Sequence, residues 1–438
     1  MSSRDRSTVL QTPRVLVLAR NYPNNAFPTL GLWTERFVAA SAGIARPTVV
    51  APVPYAPPLI PMHWARRFRS VERDRTNGSV TVHHPRVPAG PGQLLHALDA
   101  RLAFRTIRRT VLALHAAEPF DVIHAHFIYP EGVIAARLGA ELGIPVVSSE
   151  HAMWRPWLDR HPAVRRQVQR ALPQIACVTT VSETLRRSVV ELFGDAVPVE
   201  VIPNVVDEQV FVARRPDEPR DQGHLLFVGL IRHVKGLDVL VRALGHLLPD
   251  HPSLHLTVAG GAFYRSYERD AAEVRSLVAA LGLQDRVRFI GEVAPPDVAT
   301  LMRRSALLVV PSRRESFSLV TAEALASGTP VVATRCGGPE EILTPDTGEL
   351  VPVGDPAALA IAIEATLSRR YDSQRLRQYA VERFGRAAAA RRLGTLYARV
   401  TGSAPEATGT VPEPNETLRV GAATTPMALT RAAVGGTT

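Results

Sequence analysis

Residues 311–339, PSRRESFSLVTAEALASGTPVVATRCGGP, allow few folds. The run begins where an apolar segment, residues 307–310, ends, and that segment reads as a buried strand. Glu315 follows, and after seven further residues Glu323. Ser316-Phe317-Ser318 leads into an apolar helix over residues 319–326, which Gly328 and Pro330 terminate. A second strand, residues 331–333, comes at once, and Gly337-Gly338 opens another helix. Two strand ends and two helix starts this close together are the grammar of an open parallel α/β sheet. In such a sheet ligands bind beyond the carboxyl ends of the strands. Helix N-termini there attract anions, phosphates above all. Two carboxylates in the same place suit a polyhydroxylated ligand, because each accepts hydrogen bonds from vicinal hydroxyls.

The same alternation runs through the chain. Strands are expected at residues 14–19, 47–51, 80–84, 121–126, 145–149, 177–181 and 199–202, then at 225–228, 254–259 and 287–290, with helices between. This predicts two doubly wound parallel sheets, one in each half. At 438 residues the chain has room for both. The expected division is an N-terminus without fixed structure (1–13), a first domain (14–205), a polar linker (206–223) and a second domain (224–385). A helix returning to the first domain (386–400) and a disordered tail rich in Thr, Ala, Pro and Gly (401–438) complete it. No apolar run approaches the ~18 residues of a membrane span. The start lacks an apolar signal core, and two widely separated cysteines, Cys177 and Cys336, read as reduced thiols in a cytoplasmic protein.

Net charge is +10, which suits nucleic acid, an anionic membrane surface or an anionic small substrate; without a nucleic-acid motif, the membrane surface is the better match. A basic amphipathic helix over residues 94–117 carries Arg101, Arg105, Arg108 and Arg109; its basic face reads by default as solvated, with anionic lipid headgroups as the alternative. The Pro-rich stretch at residues 52–70, with its apolar groups, reads either as a loop packed on its own domain or as a lip touching membrane or a lipid-linked acceptor. The basic residues hold a sharper signal. Lys235 is the only lysine; every other basic residue is arginine. A compact ammonium retained in GLIRHVKG, between a strand and a helix and beside Arg232, suits a point charge against phosphate. Gly229 in that loop, and Gly31 after the first strand, let backbone approach a ligand closely. His126 and His151 end neighbouring strands on the ligand side of the first sheet, and Trp154 and Trp157 are expected in the loop that follows.

Together, the Glu-x7-Glu run with its Gly-Gly turn, the Gly…Arg…Lys loop at residues 229–236, and the patterns DVIHAH and SSEH resemble retaining glycosyltransferases of family 4. The resemblance covers about residues 14–400, and the Pro-rich stretch with VHHPRVP is similar to members that build surface polysaccharide. It implies the GT-B architecture: two Rossmann-like domains facing each other across a cleft, with the sugar nucleotide held mostly by the second. By resemblance, Glu323 binds the ribose hydroxyls and Glu315 the transferred sugar. Arg232 and Lys235 hold the diphosphate, helped by backbone N–H groups near Phe317–Leu319, and Gly31 lines the cleft near the donor phosphates. His126 or His151, the former first, faces the sugar. Family members have glycine where this chain has Ser316 and Ser318, and read PNGVD where it reads PNVVD. The implied reaction transfers a sugar from a UDP- or GDP-linked donor to a glycan or lipid-linked acceptor. No Asp-x-Asp occurs to hold a divalent ion, so neither metal nor cofactor is expected. Two rivals share the architecture: a sugar-nucleotide epimerase, and a non-catalytic sugar-nucleotide-binding protein.

Overall fold

The structure, a computed structural model, describes residues 12–55, 67–88, 96–153, 155–215, 217–261 and 265–403. The first sheet comprises β1 (Arg14–Leu18), β2 (Arg46–Val50), β4 (Asp74–Asn77), β5 (Val80–His83), β7 (Val122–His126), β8 (Val146–Glu150), β9 (Cys177–Thr180) and β10 (Val199–Val201); β3 (Val53–Tyr55) and β6 (Arg86–Pro88) pair separately beside it. Its order is β10-β9-β8-β7-β1-β2-β5-β4, parallel throughout except the β4 edge, which runs antiparallel to β5. The second sheet holds β11 (Asp221–Val228), β12 (His255–Ala259), β13 (Val287–Gly291), β14 (Ser305–Val310), β15 (Val331–Thr334) and β16 (Gly348–Val351) in the order β13-β12-β11-β14-β15-β16, all parallel.

Apolar residues on both faces of each strand explain this layering. In β11, Leu225 and Phe227 join the cluster beneath the Leu237–Leu247 helix, while Leu226 joins the opposite cluster with Ala322 and Leu325 of the Leu319–Ala326 helix. In β1, Leu16 and Leu18 face the helices His96–Ala117 and Val133–Leu142, whereas Val15 and Val17 face Leu32–Ser41 and the last helix, Arg386–Thr401. Burying each such side chain contributes about 1.5–3 kcal/mol, so neither face can be left to solvent. Ser182 caps its helix, Glu183–Phe193, by accepting a hydrogen bond from Leu185 N at 3.1 Å.

The last helix packs on the first domain: Ala389, Leu393, Leu396 and Tyr397 belong to that domain's core. Two expectations need correction, and one departure from the resembling pattern has its explanation. The linker is shorter than residues 206–223, because β11 already begins at Asp221, and its start is packed: Val206 and Phe211 are buried and Val206 N donates to Phe384 O. Trp157 lies in a helix, Arg155–Arg160, stacked on His161, because this segment continues as Pro162–Ala171 rather than as loop; Trp154 lies outside the described residues. Val205, where the resembling sequences have glycine, is fully buried and is not among the residues of positive φ, so the crossing needs no glycine there. The chain ends and the middle of the Pro-rich stretch, residues 56–66, lie outside the described residues. No described helix is long and apolar enough to cross a membrane.

Candidate active site

Among its parallel strands each sheet reverses its order once, between β7 and β1 in the first domain and between β11 and β14 in the second. A crevice opens at such a point because the loops beyond the two strands leave to opposite faces. The loop after β11 carries Gly229, Arg232 and Lys235; the loop after β14 carries Ser312, Arg313 and Glu315. Lys235 Nζ donates to Glu315 Oε1 at 2.7 Å, and Ser312 Oγ donates to the same oxygen at 2.8 Å. Residues far apart in sequence thus converge on one buried carboxylate.

The two loops are clamped together. Arg313 forms a bidentate pair with Asp238, at 2.8 and 2.7 Å, and donates to His233 O at 2.7 Å, while Arg313 N donates to Val234 O. The fork holds the Asp238 carboxyl below its usual range; burial opposes it as the largest single influence. Gly236 sits at φ 67°, and a Cβ there would stand 1.9 Å from Pro311 O. Gly229, at φ 155°, gives the same freedom at the strand end, where its carbonyl lies against Gly260. The Arg232 guanidinium lies 4.4 Å from the centroid of Tyr267, which sets its direction.

Ser318 takes φ 74°, the left-handed region, just ahead of the Leu319–Ala326 helix. This is a position a glycine would fill without strain, and the serine holds it through a 2.8 Å hydroxyl contact with Thr321. Among the described residues nothing accepts a hydrogen bond from the N–H groups of Ser316, Phe317 or Ser318. Phe317 is buried edge-on against Phe384, and Leu319 is half-buried. Gly338 passes so close that a Cβ would meet Phe317 O at 2.1 Å, and Glu315 O accepts from Gly338 N at 3.1 Å. The Gly337-Gly338 turn therefore fixes the Glu315 loop from behind.

Across the cleft, Gly31 (φ 71°) packs on Asn21 O so tightly that a Cβ would lie 2.1 Å away. His126 is 1% exposed; His151, half-buried, covers it with parallel rings 5.3 Å apart and a 3.0 Å contact between His126 Nδ1 and His151 Nε2. His151 is therefore the wall residue and His126 lies behind it, reversing the order in which the sequence ranks them. His124 stacks on His126 from the other side and contacts Tyr397 Oη and Ser149 Oγ, each at 2.7 Å. Burial pushes His151 down to about 4, His124 down to about 3 and His126 well below the usual histidine range. The stack is neutral at pH 7. Glu150 organises the turn by accepting from the N–H groups of Ile128, His151 and Ala152.

Sequence reasoning missed one partner. Arg36, in the Leu32–Ser41 helix of the first domain, donates to Glu323 Oε1 at 2.6 Å. Nothing local marks Arg36, one arginine among many. Burial, the largest influence, pushes the Glu323 carboxyl up, and Arg36 opposes it. A second carboxylate spans the domains: Glu341 accepts from Glu183 N at 2.6 Å and Thr184 N at 2.7 Å.

Two family models divide the chain: Glycosyltransferase Family 4 matches residues 14–210 and Glycosyl transferases group 1 matches residues 211–383. A D-inositol 3-phosphate glycosyltransferase of Frankia alni is 33% identical over 343 residues, spanning 71% of this chain and 82% of that protein. The chain belongs to glycosyltransferase family 4. An N-acetyl-alpha-D-glucosaminyl L-malate synthase of Bacillus anthracis is similar to this glycosyltransferase at 29% identity, over 56% of this chain and 64% of that one. Its GT-B architecture is shared with sucrose-phosphate synthase from Thermosynechococcus elongatus (TM-score 0.68, 21% identity, 90% of this chain and 100% of that one). It is shared equally with Anabaena HepE, solved in complex with UDP (TM-score 0.65, 17% identity, 88% of this chain and 100% of that one).

Proposed function

We propose that this glycosyltransferase moves a sugar from a nucleoside-diphosphate donor to a hydroxyl of a glycan or lipid-linked acceptor, in polysaccharide or glycolipid synthesis, with retention at the anomeric carbon. The observation that carries the reading is the Lys235–Ser312–Glu315 cluster at the β11/β14 crevice, with Arg232 on the same loop and unaccepted N–H groups ahead of the Leu319–Ala326 helix. Glu315 meets hydroxyls of the transferred sugar and Glu323 those of the ribose. As the bond from the anomeric carbon to the diphosphate oxygen breaks, Lys235 and Arg232 stabilise the charge left on that oxygen. The acceptor oxygen bonds to the anomeric carbon, and its proton passes to the departing phosphate. These fixed cations take the part a divalent ion plays elsewhere, so turnover is expected to survive EDTA. Closure over the cleft excludes water and limits donor hydrolysis.

Incubation with UDP- and GDP-sugars, with and without acceptor, tests this. Acceptor-dependent release of UDP or GDP supports it; an epimerised sugar, or binding without turnover, would replace it with one of the two rivals. A second acceptor class, a small anionic polyol or hydroxy acid, is favoured by the D-inositol 3-phosphate and L-malate in the relatives' names, and the same assay should include both. Peripheral membrane contact is supported by the exposed face of the His96–Ala117 helix, where Leu98 and Leu102 stand among Arg101, Arg105 and Arg109. Co-sedimentation with anionic vesicles, lost on replacing these arginines, is the expected result.

A further inference from the structure

We propose that Arg36 is a positioning residue of the donor site, holding the Glu323 carboxylate from the opposite domain so that the nucleotide ribose is gripped fully only when the cleft is closed. This rests on the reading of Glu323 as the ribose ligand. Arg36 and Glu323 lie on different domains, yet their side chains are only 7% and 11% exposed and meet at 2.6 Å. A buried guanidinium is costly without a partner, so the pair ties the Leu32–Ser41 helix to the Leu319–Ala326 helix. The Arg36 guanidinium also lies 5.4 Å from the centroid of Phe211, in the segment that joins the domains. The Glu341 contact with the start of the Glu183–Phe193 helix is a second charged bridge that requires the same closed arrangement.

Arg36 engages only Oε1 of Glu323; no described residue donates to Oε2. One oxygen thus anchors the carboxylate and the other is left for hydroxyls. Arg36 also sets its charge. Burial favours the neutral acid, Arg36 opposes this, and Asp207 adds to the push upward. Glu35, the neighbour of Arg36, is half-buried and accepts from Asn77 at 2.8 Å. Without Arg36, Glu323 would gain a proton at higher pH and become a weaker hydrogen-bond acceptor.

The test is calorimetric binding of UDP and GDP, following whichever binds the wild-type chain more tightly, at pH 8 and pH 6. Arg36→Gln should weaken binding by about tenfold, as expected on removing a hydrogen bond to a charged group. The ratio of mutant to wild-type Kd should grow from pH 8 to pH 6, a comparison in which phosphate titration cancels. Arg36→Lys should recover most of the loss and serves as the reporting variant if the glutamine form does not fold. Glu323→Gln added to Arg36→Gln should cost little more. A lowered melting temperature with wild-type Kd at both pH values would overturn the inference, as would tighter binding by Arg36→Gln, which would make the arginine an obstacle. If Glu323→Gln alone leaves Kd unchanged, the ribose reading itself fails. If it weakens binding while Arg36→Gln does not, only the role of Arg36 falls.

Discussion

At the scale of single residues, the proposed mechanism separates groups needed for chemistry from groups needed to place them. Lys235 is partly exposed, and its amine meets Glu315 and not the core. Lys235→Ala and Arg232→Ala are therefore expected to lower kcat on the order of a hundredfold each, the loss seen when one donor to developing charge is removed. The melting temperature of Arg232→Ala should stay near that of the parent, whereas Lys235→Ala, which leaves the buried Glu315 carboxylate with only Ser312, should also melt lower, as a thermal melt beside the kinetics would check. Gly236→Ala should behave differently. Its Cβ would collide with Pro311 O at a residue of φ 67°, and a side chain cannot fold away from backbone. Strain of at least about 1–3 kcal/mol should appear as a lower melting temperature together with lost turnover, because the loop carrying Lys235 shifts with it.

At the scale of elements, β7 and β8 present a stack of three neutral imidazoles to the first domain's side of the cleft. All three have folded-state pKa values lowered by burial. The unfolded chain therefore binds more protons than the folded one below the ordinary histidine value of about 6.5. Stability from this stack is fully present above that pH and is lost as pH falls toward the folded values of about 4 for His151 and about 3 for His124. Melting temperature should fall between pH 6.5 and pH 4, and more gently in His124→Gln, whose own lowered pKa is removed; equal slopes would contradict the burial argument.

At the scale of the whole molecule, the domains are joined by more than a linker. Val206 hydrogen-bonds to Phe384, Arg386 pairs with Asp207 at 2.8 Å, and the Arg386–Thr401 helix inserts Tyr397 under β7 against His124. Tyr397→Phe keeps the packing and removes one buried hydroxyl contact at 2.7 Å. The expected cost is about 1 kcal/mol, and more if His124 is left without a partner. Denaturant melts of the two forms would measure it, with turnover little changed, since Tyr397 lies behind the histidine stack.

The sequence alone determined the layering, because strands buried on both faces must be apolar throughout and helices between them must carry one apolar stripe. The Leu319–Ala326 helix was legible to the residue, with serine before it and glycine and proline after it. Lys235 was legible because nothing else in the chain is lysine. The β3–β6 pair, β4 and β16 were not, being short and, at the β4 edge, polar, so that pairing rather than pattern defines them. Nor could sequence rank His126 against His151, since both end buried strands and only packing says which covers the other. Arg36 is the plainest case. An arginine on an amphipathic helix has no local mark of its partner, and the ion pair with Glu323 exists only because two separately folded sheets close on each other.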